Sequence, residues 1–343
     1  MGRFRAFAGM VFAVLSVVAL GGCASTRPLG RYDAAAVSGR TYVLVGASSG
    51  FGQGVALDLA RYGANLVLAG RRGDLLEEVA NRVRATGAQI SVVPTDISRP
   101  EDVQRLAAAA VGRFGKVDVW INFAGIGAIG RFWDIPVTDQ ARLLDVNLKG
   151  VLYASNAAIR IFRHQGYGTL INLGSIDSEV PLAYQAAYSA SKAGVRGMDQ
   201  ALAQELRLAG AEDIHVVTVE PWAADTPWWG HAANYSGGTP RMAAMDDPWK
   251  VVRAIVWVSL HPRAELPVGW KAQASWFSHH LAPQLTEHVS ANIADRYQIE
   301  TAPPAPPTDG SLYQADPSGR GVEGGVRARM QSEDQSRPAA ATP

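Results

Sequence analysis

Residues 44–54 read LVGASSGFGQG. An apolar run, TYVLVGA, leads into this stretch, and GQGVALDLARYG, spaced like a helix, leads out of it. Three glycines, Gly46, Gly50 and Gly52, stand where strand hands over to helix, with Ser48 and Ser49 between them. Small residues here let the backbone turn tightly. They also let a phosphate reach the free N–H groups and positive dipole end of the helix. Gly46 is placed for the turn, and Gly50 and Gly52 for close contact with phosphate and sheet. The spacing is Gly-x-x-x-Gly-x-Gly rather than Gly-x-Gly-x-x-Gly, so the element taken alone also fits a plain turn.

The surroundings decide between the two. From Arg40 to about Pro221, β-rich apolar runs alternate with helical patterns. NLVLAG, QISVVPT, VDVWINFAG, GTLINLGS and IHVVTVEP read as further strands. Helix starts are marked by Asp74 with Glu77, and by Ser98 with Glu101 and an early Pro100. Near-continuous apolar strands separated by helices predict an α/β fold, a doubly wound, Rossmann-type parallel sheet with helices on both faces. Nothing marks a second domain.

The chain has 343 residues, 48% hydrophobic, with a net charge of +1 and both signs mixed throughout. No basic stripe stands out, so nucleic acid is not an expected partner. The single cysteine, Cys23, excludes an internal disulfide. Arg3 and Arg5 precede an apolar run from Ala6 to Leu20, and Leu20-Gly21-Gly22-Cys23 resembles a bacterial lipobox. That resemblance implies cleavage before Cys23, lipidation of its sulfur and a membrane tether on the periplasmic side. The alternatives are an uncleaved anchor, or a wrongly chosen start codon and a cytoplasmic protein. The expected organisation is a signal segment over 1–23, a linker over 24–39, the Rossmann-type domain over 40–270 and a helical extension over 271–300. The Pro/Gly-rich stretch 301–343 is expected to be mostly disordered, because it has few apolar groups to offset its ordering entropy. Leu312 and Tyr313 are its candidate anchors.

Two clusters suggest chemistry. The strand LVLAG ends in Arg71 and Arg72, where a fold binding NAD usually carries an acidic residue for the ribose. Arginine suits a 2′-phosphate, which favours NADP(H) over NAD(H). YSASK places Tyr188 and Lys192 four apart on one helix face, after a strand end carrying Ser175 and a helix carrying Asn147. A neighbouring ammonium is expected to lower the phenol's pKa, so that Tyr188 exchanges a proton with a substrate oxygen. Ser175 could hold that oxygen, Lys192 could reach the cofactor ribose, and Asn147 could hold a water beside Lys192.

Together these residues make the sequence similar to the short-chain dehydrogenase/reductase family over about residues 40–270. The resemblance implies an NADP(H)-dependent oxidoreductase that moves hydride between nicotinamide and a carbonyl or alcohol substrate, with Asn147, Ser175, Tyr188 and Lys192 catalytic. It implies a cofactor site of Gly46, Ser48, Ser49, Gly50, Phe51, Gly52, Arg71, Arg72, Asp96, Ile97, Asn122, Ala124, Gly125, Tyr188, Lys192, Pro221 and Thr226. It also implies a homo-dimer or tetramer and no metal; His279 and His280 are read as surface residues. Three positions depart from the family pattern: Val45 for threonine, Phe123 for asparagine and Trp222 for glycine. The aromatic segment Trp222, Trp228, Trp229, His231 and Tyr235 suits an apolar or aromatic carbonyl compound, and equally the packing of a lid or a dimer contact. The competing reading is a non-catalytic binding protein that keeps the dinucleotide fold at the membrane.

Overall fold

A computed structural model describes residues 25–336. The proposed signal segment, with Cys23, lies outside the described residues. A short helix α1 (Arg31–Val37) docks through the fully buried Val37 onto the body. The order is then β1 (Thr41–Val45), α2 (Gly50–Ala60), β2 (Asn65–Gly70), α3 (Gly73–Arg84), β3 (Ile90–Pro94), α4 (Pro100–Phe114), β4 (Val119–Asn122) and a short β5 (Ala128–Ile129). Helix α5 (Val137–Leu144) runs through a π-helical turn, Asp145–Gly150, into α6 (Val151–Gln165). There follow β6 (Gly168–Leu173), α7 (Ala186–Leu208), β7 (Ile214–Pro221), α8 (Trp228–His231), β8 (Ala233–Asn234), α9 (Pro248–Val258) and β9 (Glu265–Val268). The chain closes with α10 (Gly269–Leu281), α11 (Pro283–Ala294) and α12 (Val326–Ser336).

Seven strands form one parallel sheet in the order β3-β2-β1-β4-β6-β7-β9. All five β1 residues are buried because both faces are covered. Tyr42 and Leu44 join the core under α2 and α9, while Val43 and Val45 join Trp120, Phe162 and Val195 on the other side. Period-2 alternation is absent for that reason, and the strand reads as a solid apolar run. The strand order reverses between β1 and β4, and a crevice opens beyond their carboxyl ends. The expected doubly wound sheet is therefore the observed one.

A buried polar chain ties the central strands. Asn122 Nδ2 donates to Asn172 Oδ1 at 2.8 Å, Asn172 Nδ2 to Asp199 Oδ1 at 2.6 Å, and Thr218 Oγ1 to Asp199 Oδ2 at 2.8 Å. Burial pushes the Asp199 carboxyl up to about 7 against these hydrogen bonds. Asn122 is thus spent on joining β4 to β6.

The predicted capping pairs do not form. Helix α3 starts at Gly73 with Arg72 in the cap position and α4 at Pro100 with Arg99, neither with a side-chain cap bond. Arg72 is held there by bonds of its guanidinium to Ser48 Oγ (3.0 Å) and Ser49 Oγ (2.5 Å).

The two histidines of α10 are not idle surface residues. His279 Nδ1 lies 3.1 Å from Glu179 Oε1 and its Nε2 lies 3.0 Å from Glu287 Oε1, while His280 Nδ1 also reaches Glu179 at 3.3 Å. Arg196 holds the other Glu179 oxygen at 2.8 Å and reaches Glu265 and the fully buried Glu220. Burial alone would lower the His279 pKa; its bonds to Glu287 and Glu179 outweigh that and hold it above the ordinary 6.5. A raised histidine contributes stability fully below about pH 6.5 and loses it as pH rises through the folded-state value. Hydrogen exchange in α10 and α11, corrected for intrinsic rates, should therefore quicken as pH rises above about 6.5. His279→Gln should flatten that trend; a slope that survives the substitution would place the pH response elsewhere.

Residues 301–336 lie on the body, contrary to the expected disorder. Leu312 is fully buried in the core beside β1 and α6, and Val322 packs between α2 and α9. Tyr313 donates to Asp139 Oδ1 at 2.8 Å. Few apolar residues suffice because Arg71, Arg72 and Arg142 bond tail carbonyls directly.

Candidate active site

The crevice at the carboxyl ends of the strands is lined by every predicted cofactor residue except Asn122. Asn122 does not face it, because its side chain bridges Trp120 and Asn172 inside the sheet.

The glycine loop has the geometry that its sequence suggested. Gly46 has φ +98°, and a Cβ there would lie 2.7 Å from Ala124 N. A Cβ on Gly52 would collide with Gly46 O and lie 2.9 Å from Ala47 Cα. Gly50, at φ +56°, opens α2 against Thr226. Val45 and Phe123 have no side-chain hydroxyl or amide to tie this turn. Val45 O instead accepts the amides of Phe123 (2.8 Å) and Ala124 (2.9 Å).

At one end, Arg71 Nη2 donates to Ser311 O at 2.8 Å, while its Nη1 is buried without a hydrogen-bond partner. An unsatisfied buried guanidinium nitrogen costs desolvation energy. Its place in the crevice suits an anionic group. Asp96 sits nearby, accepting from Ser98 N (2.9 Å) and Oγ (2.7 Å), and Arg142 approaches it at 3.4 Å. Ile97 packs against Gly150 beside it.

At the other end stand Ser175, Tyr188 and Lys192. Ser175 Oγ accepts the Asp177 amide at 3.1 Å in a tight turn after β6 and bonds the Tyr188 phenol. Lys192, four residues along α7, donates to Leu173 O at 2.6 Å, and its Nζ lies 5.6 Å from the centre of the Tyr188 ring. Asn147 sits in the π-helical turn, where its Oδ1 accepts Ile126 N and its Nδ2 donates to Ile126 O, both at 2.8 Å. A further bond reaches Ser191 Oγ at 3.3 Å. Its side chain thus fixes the Ile126 backbone against α7.

The expected acidified phenol is not what this arrangement produces. Burial raises the Tyr188 pKa and the Asp177 charge raises it further, with the Ser175 bond opposing. Burial also lowers Lys192 to about 8, against the pull of Asp177. Asp177 itself, driven by burial and opposed by Lys192, rises to about 7. Burial and the Asp177 charge therefore set the direction of the Tyr188 shift. Asp177 escaped the sequence reading; its only signal was a carboxyl two residues after Ser175.

Trp228 lies over Tyr188, ring centres 5.4 Å apart, and meets Trp229 edge-on at 5.0 Å. Gly127 makes room for it, since a Cβ there would overlap its ring. Trp222, the residue in the usual glycine position, packs with Ile176, Val180 and Trp276 and donates to Ala243 O at 3.3 Å. The crevice wall here is apolar and aromatic. Tyr235 is not part of it: its hydroxyl bonds Asp139 outside the crevice.

The family model described as short chain dehydrogenase matches residues 40–234. Over 276 residues the chain is 31% identical to the uncharacterized oxidoreductase YxnA of Bacillus subtilis, covering 80% of this chain and 77% of that one. It resembles a short chain dehydrogenase/reductase from Burkholderia phymatum solved in complex with NAD, at TM-score 0.65 and 26% identity, covering 72% of this chain and 95% of that one. It also resembles an alcohol dehydrogenase from the archaeon Thermococcus sibiricus complexed with 5-hydroxy-NADP, at TM-score 0.58 and 26% identity, covering 66% of this chain and 94% of that one. Among the described residues no helix is long and apolar enough to cross a membrane.

Proposed function

The chain belongs to the short-chain dehydrogenase/reductase family, and on that premise we propose that it is an NADP(H)-preferring oxidoreductase that reduces an apolar or aromatic carbonyl compound. The observation that carries this reading is the set of Ser175, Tyr188 and Lys192 in one crevice with the glycine turn. The bound nucleotide would supply the hydride.

The rest is the work of this chain's own groups. The glycine turn and the start of α2 hold the pyrophosphate beside the Gly50 amide, which Gly321 O takes. Arg71 holds the 2′-phosphate through its orphan Nη1, which favours NADP(H), while Arg72 stays on Ser48, Ser49 and the tail carbonyls. Lys192 reaches the ribose beside Gly125, where its Nζ would lie 3.7 Å from an added Cβ. Tyr188 donates a proton to the substrate oxygen, and Ser175 keeps the phenol aimed. Trp222 and Trp228 shut water from that end and select a flat or apolar substrate. Export through a lipidated Cys23 remains part of the proposal, tested by fractionating the wild type beside Cys23→Ser.

Cofactor choice is tested at Arg71. Arg71→Ala should raise the NADPH dissociation constant by about 10–100-fold, the loss of one charge-assisted phosphate contact. NADH binding should change by no more than a few-fold. Equal weakening of both nucleotides would remove the 2′-phosphate assignment.

A further inference from the structure

The C-terminal segment 311–327 crosses the mouth of the crevice, and each part of the crossing is bonded. At the Arg71 end, Ser311 O accepts from Arg71 at 2.8 Å. Farther along, Arg72 Nη1 donates to the carbonyls of Asp316 (3.2 Å), Ser318 (2.9 Å) and Gly319 (3.4 Å). His231 Nε2 also meets Ser318 O at 3.1 Å. Gly321 O then accepts the Gly50 amide, the first N–H of α2, at 2.8 Å. Beyond it, Asp225 takes the amides of Val326 (2.7 Å) and Arg327 (3.3 Å) and so caps α12. Two glycines let this stretch lie flat: a Cβ on Gly319 would overlap the His231 ring, and one on Gly324 would overlap Thr226 O.

The crossing leaves a cavity beneath it. Ser311, Ala315 and Asp316 form part of the wall of the same crevice that holds Gly46, Arg71, Tyr188 and Lys192. The buried Arg71 Nη1 remains without a partner under the tail. The tail takes the Gly50 amide and Arg72 Nη1, yet it leaves the Arg71 nitrogen without a partner and the cavity open. We propose that segment 311–327 is a strap that closes over the bound dinucleotide, completes its site and keeps it from leaving. This rests on the oxidoreductase reading above and adds to it: the nucleotide behaves as a retained group, and its release waits on opening of the strap.

Strap and competitor predict opposite signs in one measurement. Arg320 lies in the crossing with its side chain 65% exposed, so trypsin can reach it when the strap opens. Cleavage at Arg320 in the full chain should slow by about tenfold or more at saturating NADPH, because ligand that binds only the closed form depletes the open one. Faster cleavage with NADPH would mean that nucleotide expels the tail, and would overturn the proposal. Gly319→Val, which must lift the crossing away from His231, gives a second readout. Its NADPH dissociation rate, followed by nicotinamide fluorescence in a chase with excess NADP, should exceed the wild-type rate by about tenfold or more. An unchanged rate, with binding intact, would overturn the strap alone. Failure of the wild type to bind either NADPH or NADH would overturn the oxidoreductase reading and the strap with it.

Discussion

Tyr188→Phe should lower kcat for carbonyl reduction by about 10²–10⁴-fold, the usual worth of a positioned proton donor. NADPH affinity should stay within a few-fold of wild type. The substitution removes one oxygen and leaves the ring against Trp228, whose centre is 5.4 Å away, so the crevice wall should survive. It also frees Ser175, which loses its phenol partner but keeps the Asp177 amide at 3.1 Å. A loss confined to kcat marks a group used in the transition state, whereas a matching rise in KM would mark a packing role. Ser175→Ala should fall in the same direction by less, since the aim of the phenol is weakened but its proton remains. Retention of wild-type turnover by Tyr188→Phe would remove the proton-donor assignment.

Gly52→Ala should raise the NADPH dissociation constant by about 100-fold or more and lower stability by about 1–3 kcal/mol. The new Cβ would collide with Gly46 O and stand 2.9 Å from Ala47 Cα, both backbone atoms of the turn that cradles the pyrophosphate. Backbone cannot swing aside as a side chain does, so the whole turn must shift. Gly112→Ala in α4 is the matched control. Nothing lies within 4 Å of the added Cβ there, so it should stabilise slightly through helix propensity and leave nucleotide binding alone. Fluorescence titration and thermal unfolding of both variants read the two effects separately. Equal behaviour of the two would mean that the loop tolerates the methyl and that the close approach is unimportant.

The sheet was legible because burial on both faces writes each central strand as an unbroken apolar run. The glycine turn was legible in part because the collisions at Gly52 are local, with Gly46 and Ala47, although the one at Gly46 is with Ala124, far along the chain. Roles that depend on contacts across the fold were harder to see. Asn122 resembles a cofactor residue in sequence, yet β6 places Asn172 2.8 Å away and claims its amide. The state of Tyr188 turns on enclosure by Trp228 and on the charge of Asp177, neither of which a spacing of four residues can express. The tail was misread from composition. Its docking relies on backbone carbonyls, which every residue has, meeting arginines some 240 positions earlier. His279 and His280 read as surface residues because nothing near them in sequence shows that Glu179, a hundred positions earlier, lies where Nδ1 of each ring reaches it.

The most direct test of the central claim, that Tyr188 gives a proton while the nucleotide in this crevice gives hydride, is label transfer. NADPH carrying deuterium at the transferable C4 position is incubated with a panel of aromatic aldehydes and ketones, and the alcohols are weighed by mass spectrometry. The wild type is expected to place one deuterium on the carbinol carbon of at least one panel member, with Tyr188→Phe slower by about 10²-fold or more. Deuterated product formed by Tyr188→Phe at the wild-type rate would contradict the account. So would a wild type that binds NADPH and labels no carbonyl in the panel.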